Sequence, residues 1–345
     1  MRVLSGVFFL TLLLFSVSYA DRGSVSFYDH VEVFEPDQNA FIAWDGDEEI
    51  LIISTNMYAS EKTKVLEILP LPSEPAIQKA NTEMFTKAVK VINRMQKRLW
   101  ALQRLPKEFL PDDELSQARG IGMDSQVQPA AEVKFHEKIG SHDISTIHVL
   151  EDSRFVQWVE KYLRSAGAMN QKVPDYLMSI VNQYIREGFT WFVFDVLELD
   201  NSIKTNEAIQ YRFASNKLFY PLRISKTNKG STEVSLIVLT PQLISNFRGI
   251  KSESIELGCV PVKVTPEELK DIDEGMYDFL AQFPSAYVRI WKIKGEFASF
   301  DNDVLGEGFS PYADSDERYI DPGKYLELRG LWMKNVGSEG LWRKE

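Results

Sequence analysis

The run Phe189-Thr-Trp-Phe-Val-Phe-Asp-Val-Leu-Glu-Leu199 constrains the fold more than any other segment, because it is the most apolar stretch after the N-terminus. Its apolar residues occupy both alternating faces, which is typical of a strand covered on both sides. Asp195 lies in the middle of this run, where such a strand would bury it, and a buried acid needs a partner. We therefore expect a central strand over 189–199, in which Asp195 is either a desolvated acid or paired to a basic group such as Arg223.

Two short amphipathic helices precede this strand. The first ends at Gly167, and the second begins at Pro174 and ends at Gly188. Two helices joined by a short connection predict an antiparallel helical hairpin over 153–187. The strand-like runs that follow the central strand cover 208–213, 218–225 and 233–240.

The first part of the chain predicts a hairpin and one long helix. Asp45-Gly-Asp47 is a turn signal between two alternating runs. Apolar residues at three- or four-residue spacing predict an amphipathic helix over 77–105. Its polar face is rich in Lys and Arg, which indicates either a solvated surface or a surface that docks an acidic partner or the chain's own acidic loops. The residues 106–131, with three prolines, form a candidate linker.

The order of these elements predicts the fold class. Strands follow one another as in a meander rather than alternating strictly with helices. We expect an α+β fold: mainly antiparallel sheet(s) with a packed helical hairpin and one long amphipathic helix. The predicted segments are a signal peptide at 1–20, a β-rich segment with the long helix and linker at 21–131, an α+β core at 132–298 and a loop-rich C-terminal segment at 299–345.

The N-terminus has the pattern of a secretory signal peptide. Arg2 supplies a positive charge, an apolar run over 7–15 follows, and Ser18-Tyr-Ala20 places small residues at the −3 and −1 positions. The apolar run is too short for a comfortable membrane span. We predict cleavage before Asp21 and a secreted or periplasmic protein, the alternative being an uncleaved N-terminal anchor.

Charge and cysteine content exclude some classes of protein. The net charge of −11 argues against a general nucleic-acid or anionic-membrane surface. Cys259 is the only cysteine, so an intramolecular disulfide is impossible. We interpret Cys259 as a small buried hydrophobic residue. Replacing it with Ala is expected to cost at most about 1–2 kcal/mol of stability and no function.

Metal and acid–base sites are the chemistry that the sequence leaves open. His142 and His148 lie six residues apart in a strand-like run and would share one face, as two zinc ligands must; ordinary hairpin histidines are the alternative. Two carboxylates meeting in the fold would form an acid–base pair, as in glycoside hydrolysis. Three acidic loops contain ligands that Ca²⁺ prefers, but none fits the twelve-residue calcium loop, and solvated turns are the alternative. These loops are 45–49, 301–303 and 314–317.

Three runs carry a resemblance to a known family. They are Leu66–Pro75, a strand closed by prolines; His148–Leu163, a strand followed by a Trp-bearing helix; and the central strand followed by Lys217–Ile224, which contains Tyr-Pro-Leu-Arg. In this order they resemble domain-of-unknown-function family 2330, a family of secreted prokaryotic proteins, over about residues 24–265. The resemblance implies an exported α+β protein with no assigned activity, and it transfers no catalytic residue.

The function that we expect from these observations is binding. No spacing reveals a nucleophile, a metal set or an acid–base pair, whereas a binding protein needs only a shaped surface with a few polar groups. We expect a binding or protein-interaction module with an unknown protein or small molecule as its ligand. No cofactor, no nucleic acid and, after signal cleavage, no membrane is expected as a partner. The alternative is a secreted hydrolase, either metal-assisted through His142 and His148 or built on two carboxylates.

Overall fold

The computed structural model describes residues 23–28, 30–102, 131–151, 155–168, 173–205, 207–228, 230–248, 255–257 and 261–309. Within them the fold mixes five α-helices with three sheets that are mostly antiparallel. The strands are β1 Gly23–Ser26, β2 Val33–Trp44, β3 Glu48–Ala59, β4 Thr63–Leu71, β5 Ala76–Lys79, β6 Ala131–Ile139, β7 His142–Val149, β8 Trp191–Leu199, β9 Lys204–Thr205, β10 Ile209–Ala214, β11 Leu218–Tyr220, β12 Ser231–Thr240, β13 Ile244–Arg248, β14 Ile255–Leu257, β15 Val262–Val264, β16 Ala286–Glu296 and β17 Val304–Phe309. The helices are α1 Glu83–Leu102, α2 Phe155–Ser165, α3 Asp175–Arg186, α4 Pro266–Ile272 and α5 Glu274–Leu280.

The predicted central strand is the middle of a five-stranded sheet. The order is β1-β4-β8-β7-β6, with every pair antiparallel. All nine residues of β8 except Trp191 and Glu198 are buried, so the expectation of a strand covered on both faces is confirmed. The hairpin of β6 and β7 turns at Gly140, whose φ of +62° belongs to the region that favours glycine.

The second sheet has nine strands. Its main path is β14-β16-β12-β2-β3-β10-β5, with β15 paired to β16 and β9 paired to β3. The pair of β2 and β12 is parallel, while the other pairs are antiparallel. The predicted turn at 45–47 joins β2 to β3, and Asp45 Oδ1 accepts hydrogen bonds from the backbone of Asp47 and Glu48.

The helices and the two large sheets pack in layers. On one face of the five-stranded sheet, Phe194 of β8 contacts the aromatic rings of α2, and Leu177 of α3 lies against Gly23 of β1. On the opposite face, Leu197 and Leu199 cluster with Met57 of β3, so the two sheets meet there. The far side of the nine-stranded sheet packs against α1, α4 and α5.

A third, three-stranded sheet is small and antiparallel, in the order β11-β17-β13. It pairs β11 with β17, the last strand of the described residues. Residues 304–309 are therefore a strand, although they lie within the segment predicted to be rich in loops. Between β11 and β12 the chain forms a 3₁₀ helix, Arg223–Thr227, which contacts α3 and β1. These contacts bring residues from distant parts of the sequence to one edge of the molecule.

Three predicted boundaries are wrong. The helix expected from residue 77 begins at Glu83, because residues 76–79 pair with β10 as β5. The run Thr265-Pro-Glu-Glu268 has the pattern of a capping box and predicts one helix to about Ala281. The capping box forms, but Asp273 takes extended backbone angles and caps a new helix, α5. The strand expected over 218–225 ends at Tyr220 and gives way to the 3₁₀ helix.

The predicted division of the chain at residue 131 stays a prediction about domains. Both large sheets take strands from before and after that residue. The five-stranded sheet contains β1 and β4 together with β7 and β8, and the nine-stranded sheet contains β2 and β3 together with β10 and β12. The segments 1–20 and 310–345, the linker core at 103–130 and Cys259 lie outside the described residues. In the described part of the chain, no helix combines the length and apolar character that crossing a bilayer requires.

Candidate functional site

A polar cleft of about 290 Å³ opens where five segments meet. These segments are the end of α3, the residues just before β8, the 3₁₀ helix at 223–227, the end of β13 and the start of β17. We call it the Arg223 cleft, because that guanidinium contacts both of its lining carboxylates. The residues that line it are Glu187, Phe189, Arg223, Arg248, Asn302, Asp303 and Leu305.

The guanidinium of Arg223 is held by a carboxylate and an aromatic ring. Its Nη1 and Nη2 atoms donate to Oε1 and Oε2 of Glu187, each at 2.6 Å. This bidentate geometry is the strong form of an arginine–carboxylate pair. The guanidinium carbon also lies 4.1 Å from the centroid of the Tyr184 ring, a cation–π contact. With only 11% of its side chain exposed, Arg223 is fixed and mostly removed from water.

Asp303 closes the inner end of the Arg223 cleft. Its Oδ1 accepts hydrogen bonds from the Tyr184 hydroxyl at 2.6 Å and from the Arg223 backbone N–H at 2.9 Å. Its Oδ2 lies 3.4 Å from Arg223 Nη2. Burial raises the pKa of Asp303 to about 6, even though the charge of Arg223 and the hydrogen bond from Tyr184 act in the opposite direction. Every oxygen of this carboxyl is therefore already in use.

The pKa of Glu187 is shifted in the opposite direction to that of Asp303. The hydrogen bonds from Arg223 lower the pKa of Glu187 below its ordinary value and outweigh the opposing effect of its partial burial. Its oxygen Oε2 and the Asp303 oxygen Oδ2 contact the same Arg223 nitrogen, at 2.6 and 3.4 Å. Two carboxyl groups with separated pKa values thus share one cation in one cleft.

The local sequence explains why Glu187 stands at the mouth of the cleft. It follows the last residue of α3 as the C-cap, and Gly188 comes next with a φ of +93°. Glycine reaches this conformation without the strain that a Cβ would cause. The chain consequently leaves α3 abruptly, and the Phe189 N–H donates back to the Tyr184 carbonyl at 3.0 Å. This turn directs Glu187 and Phe189 to the cleft.

The rim of the cleft carries a second cation and an amide. Arg248 has 64% of its side chain exposed and lies 3.3 Å from Oε2 of Glu307. Lys217 binds the other oxygen of Glu307 at 2.6 Å, so this acid keeps a partner if Arg248 moves. Asn302 is exposed, and no hydrogen bond joins its side chain to another residue of the described ranges. The rim therefore offers donors to a ligand.

The histidines predicted as metal candidates lie on one strand, β7, but away from this cleft. His142 is buried, with Nδ1 at 2.5 Å from Asp195 Oδ2 and Nε2 at 3.0 Å from the carbonyl oxygen of Glu207. His148 stacks on Trp191 with ring centroids 4.1 Å apart. Among the described residues, no three His, Cys, Asp or Glu side chains converge to hold a metal ion. Metal binding by this pair stays a prediction, and it would require His142 to give up one of its two bonds.

The predicted partner of Asp195 is wrong. Asp195 is buried as expected, but its basic neighbour is His142 on the adjacent strand rather than Arg223. Register explains the choice, since Asp195 faces Ile144 across the β7–β8 pair and His142 is the next residue on the same face. Arg223 instead binds Glu187 and Asp303.

The acidic loops serve the fold in the described part of the chain. Asp45 stabilises the turn between β2 and β3 through its backbone hydrogen bonds. Asp303 is not solvated but buried in the Arg223 cleft, and Asp301 forms an ion pair with Lys226. The loop at 314–317 lies outside the described residues.

The sequence gives no signal of a site at Tyr184, which supports the cleft, or at Glu187, which lines it, and it predicts Asp303 only as part of the acidic loop 301–303. The signal that was available is the Tyr-Pro-Leu-Arg run, which ends at Arg223 and which the family resemblance singled out without a role.

Comparison with known proteins gives several solved structures of low similarity, and no curated protein matches the chain. The crystal structure of baculovirus P35 is 12% identical, with a TM-score of 0.34 and coverage of 70% of this chain and 76% of that chain. A mutated baculovirus P35 after caspase cleavage is 11% identical, with a TM-score of 0.32 and coverage of 66% and 75%. At these TM-scores neither likeness supports an argument.

A family of proteins does match. The family described as "Uncharacterized protein conserved in bacteria (DUF2330)" covers residues 23–299, which confirms the resemblance seen in the sequence. Tyr184 lies inside the matched region together with four lining residues of the cleft, Glu187, Phe189, Arg223 and Arg248. The other lining residues, Asn302, Asp303 and Leu305, lie just beyond it. The chain therefore belongs to this uncharacterized bacterial family.

Proposed function

We propose that the mature chain is an exported binding protein whose ligand occupies the Arg223 cleft. The observation that supports this best is the combination of charged groups with apolar walls in one recess. Arg223, Arg248 and Asn302 supply donors, while Phe189 and Leu305 supply apolar surface. The binding sites of small molecules likewise join apolar surface to a few convergent polar groups.

Rigidity of the cleft favours binding. Arg223 is fixed by the Tyr184 ring and by Asp303, so little side-chain freedom remains to be lost when a ligand arrives. Phe189 and Leu305 give the recess apolar surface, and the exposed Arg248 and Asn302 lie at its rim. A preorganised recess of this kind suits a small molecule better than a large protein surface.

A secreted hydrolase with two carboxylates is the second candidate, because the pKa of Asp303 is raised and that of Glu187 is lowered within the same cleft. Such a separation is what an acid and a base on one substrate require. Against it stands the engagement of Asp303, whose two oxygens both contact Tyr184 or Arg223. Binding is therefore the better proposal.

Export rests on the sequence of residues 1–20, with its basic start, apolar run and small residues before Asp21. The test is the intact mass of the protein recovered outside the cytoplasm of a bacterial host. A mass that begins at Asp21 is expected. Retention of residues 1–20 would contradict the proposed cleavage and favour an N-terminal anchor.

The test of binding is a screen of small amines, carboxylates, zwitterions and neutral sugars by protein NMR. We expect members of at least one class to shift signals of Phe189 and Leu305, which line the cleft. Asn302→Trp is the matched control, because it adds bulk at the rim without removing a contact to the described residues. Shifts that persist in this variant, or no shift from any class, would refute a ligand site in the Arg223 cleft. Turnover of a glycoside or ester that is lost in Asp303→Asn would instead favour the hydrolase.

A further inference from the structure

Glu187 occupies a place that a ligand's carboxylate would fit. It meets the forked edge of the Arg223 guanidinium with two hydrogen bonds of 2.6 Å. A planar guanidinium recognises any carboxylate with the same two-point geometry. The internal pair therefore displays the chemistry for which Arg223 is arranged.

The guanidinium keeps its position without Glu187. The Tyr184 ring lies under its face at 4.1 Å, and Asp303 Oδ2 lies 3.4 Å from Nη2. The backbone N–H of Arg223 is itself bound to Asp303 at 2.9 Å. Because these three contacts do not involve Glu187, loss of that side chain leaves the fork in place and opens its outer edge.

Glu187 is also the member of the pair that is free to move. Its side chain is 49% exposed, compared with 11% for Arg223. Within the described residues, the Glu187 carboxylate has one ion-pair partner, Arg223, which also donates its only hydrogen bonds. As the C-cap of α3 it lies at the negative end of a helix dipole, which disfavours an acid there. An exposed carboxylate with one partner is readily exchanged for another.

The rest of the cleft selects an organic anion. Arg248 at the rim is 64% exposed and its ion-pair partner, Glu307, is also bound by Lys217. Arg248 can thus turn to a bound anion without leaving Glu307 alone. Phe189 and Leu305 give the recess apolar walls, which suit an organic body rather than a bare inorganic ion.

We infer that the ligand is a small organic carboxylate that displaces Glu187 from Arg223, with its apolar body against Phe189 and Leu305. This inference rests on the proposed binding function. In the free protein, Glu187 acts as an intramolecular competitor for the arginine. Removing that competitor should make the site bind carboxylates more tightly.

The experiment measures binding of benzoate, of its neutral analogue benzamide and of inorganic phosphate by NMR titration at constant ionic strength. Glu187→Ala is expected to bind benzoate at least tenfold more tightly than the wild type, with little change for benzamide. Adding Arg248→Ala to this variant should reverse part of the gain. Glu187→Gln, which keeps the shape of the side chain, serves as the second variant if Glu187→Ala folds poorly.

The possible outcomes separate the inference from the proposed function. An unchanged or weakened affinity for benzoate in both Glu187 variants would overturn the inference, and so would an equal gain for benzamide. If the affinity for phosphate rises as much as the affinity for benzoate, the site selects an inorganic anion and the inference of an organic carboxylate is overturned. If only amines or neutral sugars shift the cleft signals in the screen, the binding function stands and the carboxylate inference fails.

Discussion

Replacing Asp303 with Asn is expected to change how stability depends on pH. Burial raises the pKa of this carboxyl to about 6 in the folded protein, whereas an Asp in an unfolded chain titrates near about 3.9. Between these values the folded protein keeps a proton that the unfolded chain has released. The free energy of unfolding of the wild type should therefore rise as the pH falls through this window.

The size of the effect follows from the difference in pKa. About two pKa units correspond to roughly 3 kcal/mol, most of which should develop between pH 7 and pH 4. Asn does not titrate, yet its side-chain oxygen still accepts from the Tyr184 hydroxyl and the Arg223 backbone N–H. The wild type should thus gain about 2–3 kcal/mol relative to Asp303→Asn over this range. Glu187, with its lowered pKa, acts in the opposite direction but is present in both proteins.

The assay is urea unfolding at half-unit steps from pH 7 to pH 4, followed by tryptophan fluorescence and far-ultraviolet circular dichroism. Equal m-values for the two proteins establish that the same transition is compared. Asn302→Ala is the control, since it alters an exposed neighbour that does not titrate. Parallel pH profiles for the wild type and Asp303→Asn would refute the raised pKa and the burial on which it depends.

Two further predictions concern other buried or strained positions. Burial raises the pKa of Glu49 well above its ordinary value, so Glu49→Gln should gain stability relative to the wild type as the pH rises from 5 to 8. Urea titrations measure this, and a difference independent of pH would contradict it. Gly140→Ala should cost about 1–3 kcal/mol, because φ is +62° and a Cβ would lie 2.3 Å from Glu207 Oε1. At Gly167, φ is +92° and no atom lies within 4 Å of an added Cβ. Gly167→Ala should therefore lower the melting temperature less than Gly140→Ala does. Equal decreases in the two variants would show that the clash with Glu207 contributes nothing.

The features that sequence predicted well are those set by neighbouring residues. The apolar run of β8 required cover on both faces, and the structure supplies α2 on one face and the nine-stranded sheet on the other. The Thr265 capping box also starts α4 as expected, since Thr265 and Glu268 exchange hydrogen bonds within one helical turn.

Predictions failed where pairing with a distant segment decided the local structure. Residues 76–79 carry the spacing of a helix, yet they add β5 to the edge of the nine-stranded sheet by pairing with β10, more than 120 residues later. Asn81 then starts α1, because its side chain accepts from the Glu83 backbone at 3.0 Å. Tertiary pairing of this kind overrides a periodic pattern that is only a few residues long.

The candidate site was the least predictable part for the same physical reason. Asp195 lies on a strand, so its partner follows from register: His142 is the diagonal neighbour on β7, and a correct pairing of the two strands would have identified it. Arg223 lies outside a sheet, and its partners come from α3 and from the residues before β17, separated from it by 36 and 80 positions. No periodicity relates those positions, because they meet only after the sheet, the helix and the last strand have packed. Burial of Arg223 predicts that acids contact it. The assembled fold alone determines that these acids are Glu187 and Asp303.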